Sequence, residues 1–299
     1  MELKKIKDDV YYIPNVTNIG VVVDESAAVL IDSGLDDDAG KKILKCLDKE
    51  GIRPVAIINT HSHADHIGGN ALIKSRTGAL IHSPEMEDGI VQAPYYEPFY
   101  LFSGAHPLKD LMNKYLMAPR SRVDNVISAS GGTLQVGAIQ LETVPLPGHS
   151  PNQTGVAVKG VLFCGDAVFS EELLNKHKLP FCMNIEKQVE TLNYLKQSVY
   201  ETFVPSHGAP VNDITGTADA YLQRISEIKR CSLKILEAPN TTAGFLKDLC
   251  GCLDIEMHDV KQYYLNNTVA MAYLSWLYNS GEITLEIKEN ILYWKRKGE

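Results

Sequence analysis

Apolar and polar positions fall into short blocks separated by turn residues along the first third of the chain. Residues 10–13, 19–23 and 27–31 are rich in Val, Ile and Ala and predict three strands. Residues 41–50 change period. Ile43, Leu44 and Leu47 share one face at helical spacing, and Gly51 and Pro54 then end the helix. A compact strand at 55–59, a helix at 71–76 and a strand at 79–82 follow. Strand and helix alternate, as in a layered α/β domain.

Residues 84–122 break that rhythm. Pro84, Pro94, Pro98, Pro107 and Pro119 punctuate them, and Tyr95, Tyr96, Phe99, Tyr100 and Phe102 crowd one stretch. This reads as an inserted segment of loops and short helices with an aromatic patch. Strands are predicted again at 133–136, 139–144, 154–158 and 161–164, then a helix at 185–200 and a strand at 202–205. The two halves, 10–77 and 133–209, share a plan but no repeat of fixed period.

Beyond Pro210 the spacing is mostly helical. Ala218, Tyr221, Leu222, Ile225 and Ile228 mark one helix, 243–249 a second and 260–279 a third. Segments 282–285 and 290–295 predict a β-hairpin. Two domains are expected, 1–214 and a helical, winged-helix-like 215–299.

The 299 residues are 44% hydrophobic and 22% charged, so a large core can form without staples. The net charge of -8 argues against general polyanion binding. No apolar run approaches the roughly 20 residues of a membrane helix, and the N-terminus lacks the apolar core of a secretory signal. The six cysteines are scattered, and the close pair Cys250 and Cys252 reads as inert packing. A reduced, cytoplasmic setting is expected.

The chemistry is concentrated in Thr60-His61-Ser62-His63-Ala64-Asp65-His66-Ile67-Gly68-Gly69. Imidazole and carboxylate at this density suit a divalent metal. One short loop cannot fill two coordination spheres, so further donors must come from elsewhere. Pro147-Gly148-His149, Gly165-Asp166 and Ser206-His207-Gly208 each sit at a strand end, where α/β folds build sites.

The pattern H-x-H-x-D-H, P-G-H, G-D and S-H-G, in that order over about residues 10–212, resembles the metallo-β-lactamase superfamily. That resemblance implies a four-layer αββα sandwich with a dinuclear metal site at one edge. His61, His63 and His149 would hold one ion, and Asp65, His66 and His207 the other, with Asp166 between them. Asp32 would orient a ligand histidine from behind. Zinc is the expected metal, and the same ligands accept iron and manganese. Two such ions acidify a water into a hydroxide nucleophile at neutral pH. Asp65 would orient that water and pass a proton to the leaving group.

The antibiotic-hydrolysing branch lacks the bridging aspartate, so Asp166 points elsewhere. Flavodiiron proteins carry Glu where His63 stands. Hydrolytic glyoxalases share the ligands, but their glutathione-binding segment is absent here. The overall plan is nearest the endoribonuclease branch with its winged-helix-like tail.

Three functions compete. The first is hydrolysis of a small-molecule ester, thioester or lactone. Here Tyr95, Tyr96 and Phe99 would roof the site, and Lys176, His177 and Lys178 would meet an anionic substrate group. The second is cleavage of RNA, with Tyr293 and Trp294 beside Lys295-Arg296-Lys297 as the motive. The third is a non-enzymatic regulatory or assembly role for the tail. Its face of Met271, Tyr273, Leu274, Trp276, Leu277 and Tyr278 suits a homodimer.

Overall fold

Side chains alternate along the strands of the first sheet, and both faces of that sheet are buried. In the computed structural model, which describes residues 1–298, seven strands lie side by side in chain order. They are β1 (Lys4–Lys7), β2 (Val10–Ile13), β3 (Ile19–Asp24), β4 (Ala27–Ile31), β5 (Arg53–Ile58), β6 (Leu80–Pro84) and β7 (Asn125–Ile127). Pairing is antiparallel from β1 to β4 and parallel from β4 to β7. A second sheet holds β8 (Gly132–Val136), β9 (Ile139–Pro145), β10 (Thr154–Val158), β11 (Val161–Gly165) and β12 (Thr202–Pro205). Only its β11–β12 pair is parallel.

The period of two sorts the core into layers. Val29, Ile31, Ala56 and Ile58 point between the sheets, where they meet Val156, Val161 and Phe163. Ala28, Leu30 and Ile57 point outward. There α1 (Asp37–Asp48) and, past the short α2 (Ala64–Ile67), α3 (Asn70–Thr77) cover them with Ile43, Leu47 and Ile73. Strands buried on both faces read as continuous apolar runs, which is why β4 and β5 were so plain in the sequence. Helix α1 starts four residues earlier than its apolar spacing indicated. Asp36 caps it by accepting from the Ala39 amide at 3.1 Å, and Asp37 and Asp38 favour its first turn.

The insertion carries α4 (Glu87–Gln92), α5 (Tyr96–Leu101) and a 3-10 turn at Lys109–Leu111. Beyond β11 come α6 (Glu171–Lys176) and α7 (Ile185–Gln197), then α8 (Thr215–Ile235), β13 (Asn240–Thr241), α9 (Thr242–Cys252) and α10 (Val260–Asn279). β14 (Ile283–Lys288) and β15 (Ile291–Arg296) form the hairpin, with a two-residue turn in which Glu289 and Asn290 both take positive φ. Helices α7 and α8 cover the outer face of the second sheet, completing the αββα layering. Tyr221, Ile225, Phe245 and Tyr273 from residues beyond 214 share one buried cluster with Leu162, Leu192 and Phe203.

Two cysteine expectations need correction. Cys252 is not inert packing: it is disulfide-bonded to Cys231, because α8 and α9 bring their Cα atoms to 6.4 Å. With that bond formed, the cysteines no longer point to a reducing compartment. Cys46, Cys164, Cys182 and Cys250 are free and buried. Among the described residues no helix is long and apolar enough to cross a membrane. Trp294 is buried, and its indole N–H donates to Thr242 Oγ1 at 3.0 Å, so it serves the tail's own core rather than an exposed stacking surface. Tyr273, Leu274 and Leu277 are likewise consumed inside the chain, while Met271 and Tyr278 stay exposed.

Candidate metal centre

The site forms where strands of both sheets end. Asp32 follows β4, and after β5 come the loop 60–63 and the start of α2 with Asp65 and His66. His149 lies in the loop after β9, Asp166 follows β11 and His207 follows β12. Two glycines permit the approach. Gly148 has φ +136°, and a Cβ there would lie 2.6 Å from the backbone of Gln188. A Cβ on Gly68 would strike the Leu35 carbonyl.

The chain brings all seven expected donors together. His61 Nε2 and His149 Nε2 lie 3.0 and 2.9 Å from His63 Nδ1. Asp65, His66 and His207 form a second group, with Asp65 Oδ2 3.6 and 3.5 Å from the two Nε2 atoms. Asp166 stands between the groups. Its Oδ2 lies 3.4 Å from both His149 Nε2 and His207 Nε2, and its Oδ1 lies 3.5 Å from His66 Nε2.

Backing contacts decide which ring nitrogen faces inward. His149 Nδ1–H donates to the Phe181 carbonyl at 3.0 Å, and His207 Nδ1–H to the Val16 carbonyl at 2.7 Å. A carbonyl only accepts, so in the neutral form of each ring the lone pair lies on Nε2. His66 Nδ1–H donates to Asp32 Oδ2 at 2.8 Å. Thr60 Oγ1–H donates to the same oxygen at 2.9 Å, so His61 Nδ1–H is the donor to Thr60 Oγ1 at 3.1 Å. Asp32 therefore holds one ring directly and a second through Thr60.

Burial sets the charge states. It holds His61 well below its ordinary pKa, His63 down to about 4 and His149 down to about 3. All three rings are therefore neutral lone-pair donors at neutral pH. Burial opposes protonation of His66 and His207 too. Asp65, Asp32 and Asp166 overcome it at His66 and raise it well above the ordinary value. Asp166 does most of the same at His207, lifting it to about 9. Burial would raise Asp166, but His207 and His66 hold it well below the carboxylate range.

These residues fit metal ions. Ring nitrogens around a tetrahedral zinc at about 2.0–2.1 Å stand roughly 3.3 Å apart, close to the spacing of the first group. Three mutually facing nitrogens share too few protons to satisfy one another. His66 Nε2 and Asp166 Oδ1 are buried without a hydrogen-bond partner, a state that a cation relieves.

Tyr95 stacks on His106 and packs at a tilt against Phe99, and Tyr96 meets Phe99 edge-on. Phe181 lies over the first group, 5.2 Å from the His63 ring and 5.6 Å from His149. Phe169 lies 5.8 Å from the His149 ring and 6.3 Å from His207. Lys178 donates to Asp254 Oδ2 at 2.8 Å and to its carbonyl at 2.7 Å, tying the loop after α6 to the tail. Lys176 is exposed. His177 is near enough to the centre that His207 adds to the burial and the Lys176 charge lowering its pKa.

Sequence reasoning missed Thr17 and Asn18. Thr17 Oγ1–H donates to Asp65 Oδ2 at 2.8 Å. Asn18 Nδ2–H donates to the carbonyls of Pro205 at 2.9 Å and Gly208 at 2.6 Å, pinning the His207 loop. They lie in a polar turn with no motif to flag it. A cleft of about 340 Å³ opens beside Asp65, lined by Val16, Thr17, Leu35, Ala39, Lys42 and Tyr115 among others.

A family model described as the metallo-beta-lactamase superfamily matches residues 12–207. Curated relatives include hydroxyacylglutathione hydrolases of Albidiferax ferrireducens, 29% identical over 51% of this chain and 48% of the relative, and of Anaeromyxobacter dehalogenans, 31% identical over 48% and 42%. The chain thus spans just under half the length of these curated relatives. Among solved structures, a metallo-beta-lactamase family protein of Thermus thermophilus aligns with a TM-score of 0.70, at 17% identity over 97% of this chain and 99% of the other. A beta-lactamase domain protein of Burkholderia ambifaria aligns at 0.72, with 19% identity over 99% and 93%. At that identity the likeness is one of fold, and it extends over the tail.

Proposed function

The chain belongs to the metallo-β-lactamase superfamily, and from that premise we propose that it is a dinuclear-metal hydrolase of small-molecule thioesters. The observation that supports this most is the convergence of three neutral histidines, a second Asp-His-His group and Asp166 between them. The names of the curated relatives favour the thioester over an ester or lactone.

In this reading His61, His63 and His149 would hold one ion and Asp65, His66 and His207 the other, with Asp166 placed to serve either group. Two such ions, zinc by the N/O donors, would supply Lewis acidity at the scissile carbonyl and lower the pKa of water toward neutrality. The protein supplies position. Thr17 holds one oxygen of Asp65, so the carboxylate stands fixed to orient the attacking water and to carry its proton toward the leaving thiolate. Phe181 and Phe169 exclude bulk water from the histidine side. The cleft beside Asp65 has mostly apolar walls and receives the uncharged part of the substrate, with Lys42 on its lining.

The test is release of free thiol from a hydroxyacyl-glutathione thioester and from a simple acyl thioester, followed with a thiol-reactive dye. Turnover that stops with chelator and returns with zinc supports the reading. Absence of turnover with two ions bound per chain contradicts the thioester assignment.

A further inference from the structure

Each metal group is assembled from both sheets, so its geometry depends on how firmly the two sheets are tied at their edge. For the second group the ties are visible: Asn18 pins the Pro205–Gly208 loop and the Val16 carbonyl holds His207. The first group takes His61 and His63 from the loop after β5 and His149 from the loop after β9. Its tie is a residue with no part in the ligand motifs.

Glu87 opens α4, and its side chain is buried, at 1% exposure. Oε2 accepts from the Ser62 amide at 3.2 Å and from the Ser62 hydroxyl. Oε1 accepts from the Ser150 hydroxyl at 2.7 Å and from the Asn152 amide at 3.2 Å. Ser62 lies between His61 and His63, and Ser150 follows His149. One oxygen thus serves each loop. The mount is itself braced, since Asn152 Nδ2–H donates to the Glu85 carbonyl at 2.8 Å and the Glu85 amide donates to the Ile127 carbonyl at 2.9 Å. A carboxylate accepts on both oxygens, whereas an amide of equal size offers a donor on one side. Glutamine would therefore face one loop with N–H against N–H.

We propose that Glu87 is a positioning residue whose carboxylate clamps the Ser62 and Ser150 loops together, setting the separation of His149 from His61 and His63 and so the affinity of that group for its ion. This rests on the dinuclear reading above. Buried partners behind metal ligands typically change metal affinity by about 10- to 100-fold, and the second group keeps its own ties, Asn18 on the His207 loop and Asp32 on His66.

The experiment titrates cobalt(II) into chelator-stripped protein and follows the visible absorption bands, in wild type and in Glu87→Gln. The clamp predicts one binding step weakened by about 10- to 100-fold, with an altered band shape, and the other step within about threefold. In a His207→Ala background, Glu87→Gln must weaken the step that remains. Ser62→Ala combined with Ser150→Ala leaves Glu87 intact and should weaken the same step, a route that holds if Glu87→Gln folds poorly. Equal weakening of both steps, or a lower melting temperature with both steps unchanged, would overturn the clamp. Wild type binding fewer than two ions would instead refute the dinuclear reading beneath it.

Discussion

Asp32 and His66 are buried against each other, the Asp32 carboxylate accepting from His66 Nδ1–H at 2.8 Å. Asp32 also accepts from the Thr60 amide at 2.8 Å, and its backbone sits in the left-handed region at φ +64°. Asparagine tolerates that conformation, so Asp32→Asn isolates the carboxylate from the turn. The variant is expected to weaken metal binding at the second group by about 10- to 100-fold. Competition with a chromogenic chelator measures this. Unchanged affinity in a folded variant would show that the contact does not support the ligand.

The metal-free protein should be most stable near pH 6.5. His63 and His149, held down to about 4 and about 3 by burial, stay neutral in the fold while the unfolded chain takes up protons near 6.5. Their contribution is present above 6.5 and is lost as pH falls toward those values. His207, raised to about 9 chiefly by Asp166 against the effect of burial, contributes below 6.5 and loses that contribution as pH climbs toward 9. Melting of chelated protein across pH 5 to 9 checks both arms, with a fall of about 5 °C expected by pH 5. A flat profile would contradict the assigned charge states.

Lys176 and Lys178 are expected to be dispensable for turnover. Lys178 is engaged by Asp254 in an exposed pair, worth about 1 kcal/mol or less. The double alanine variant should keep kcat/KM within about threefold. A tenfold loss would return them to the substrate site.

The tail should not come away cleanly. Removing residues 215–299 strips α8 from the outer face of the second sheet and exposes Leu162, Leu192 and Phe203. Insoluble protein is expected. Phe245→Ala, a smaller change in the same cluster, should cost about 3–5 kcal/mol in a denaturant melt. A truncated chain that stays folded and binds two ions would show that the domains are independent.

The legible parts of this molecule were those where one local rule dominates. Strands such as β4, β5 and β11 are rich in apolar residues and could be read directly. The seven donors were legible because each sits at a strand end in a short Gly- or Ser-containing motif. What escaped depends on contacts distant in sequence. Asn18 reaches residues 205–208, Glu87 reaches Ser150, and Cys231 finds Cys252 only once two helices pack. The place of the aromatic insertion depends on such contacts too. Its composition suggested a roof; Tyr100 and Phe102 pack in one cluster with Phe181 and with Leu265 of α10, and Phe181, a residue no pattern marked, is the ring beside the histidines.

The central claim is a two-ion site built around Asp166. Plasma mass spectrometry of natively purified protein and of Asp166→Ala tests it most directly. About two zinc per chain is expected, falling to one or fewer in the variant, since Asp166 reaches both groups. Two ions retained without Asp166, or none in protein never exposed to chelator, would contradict the account.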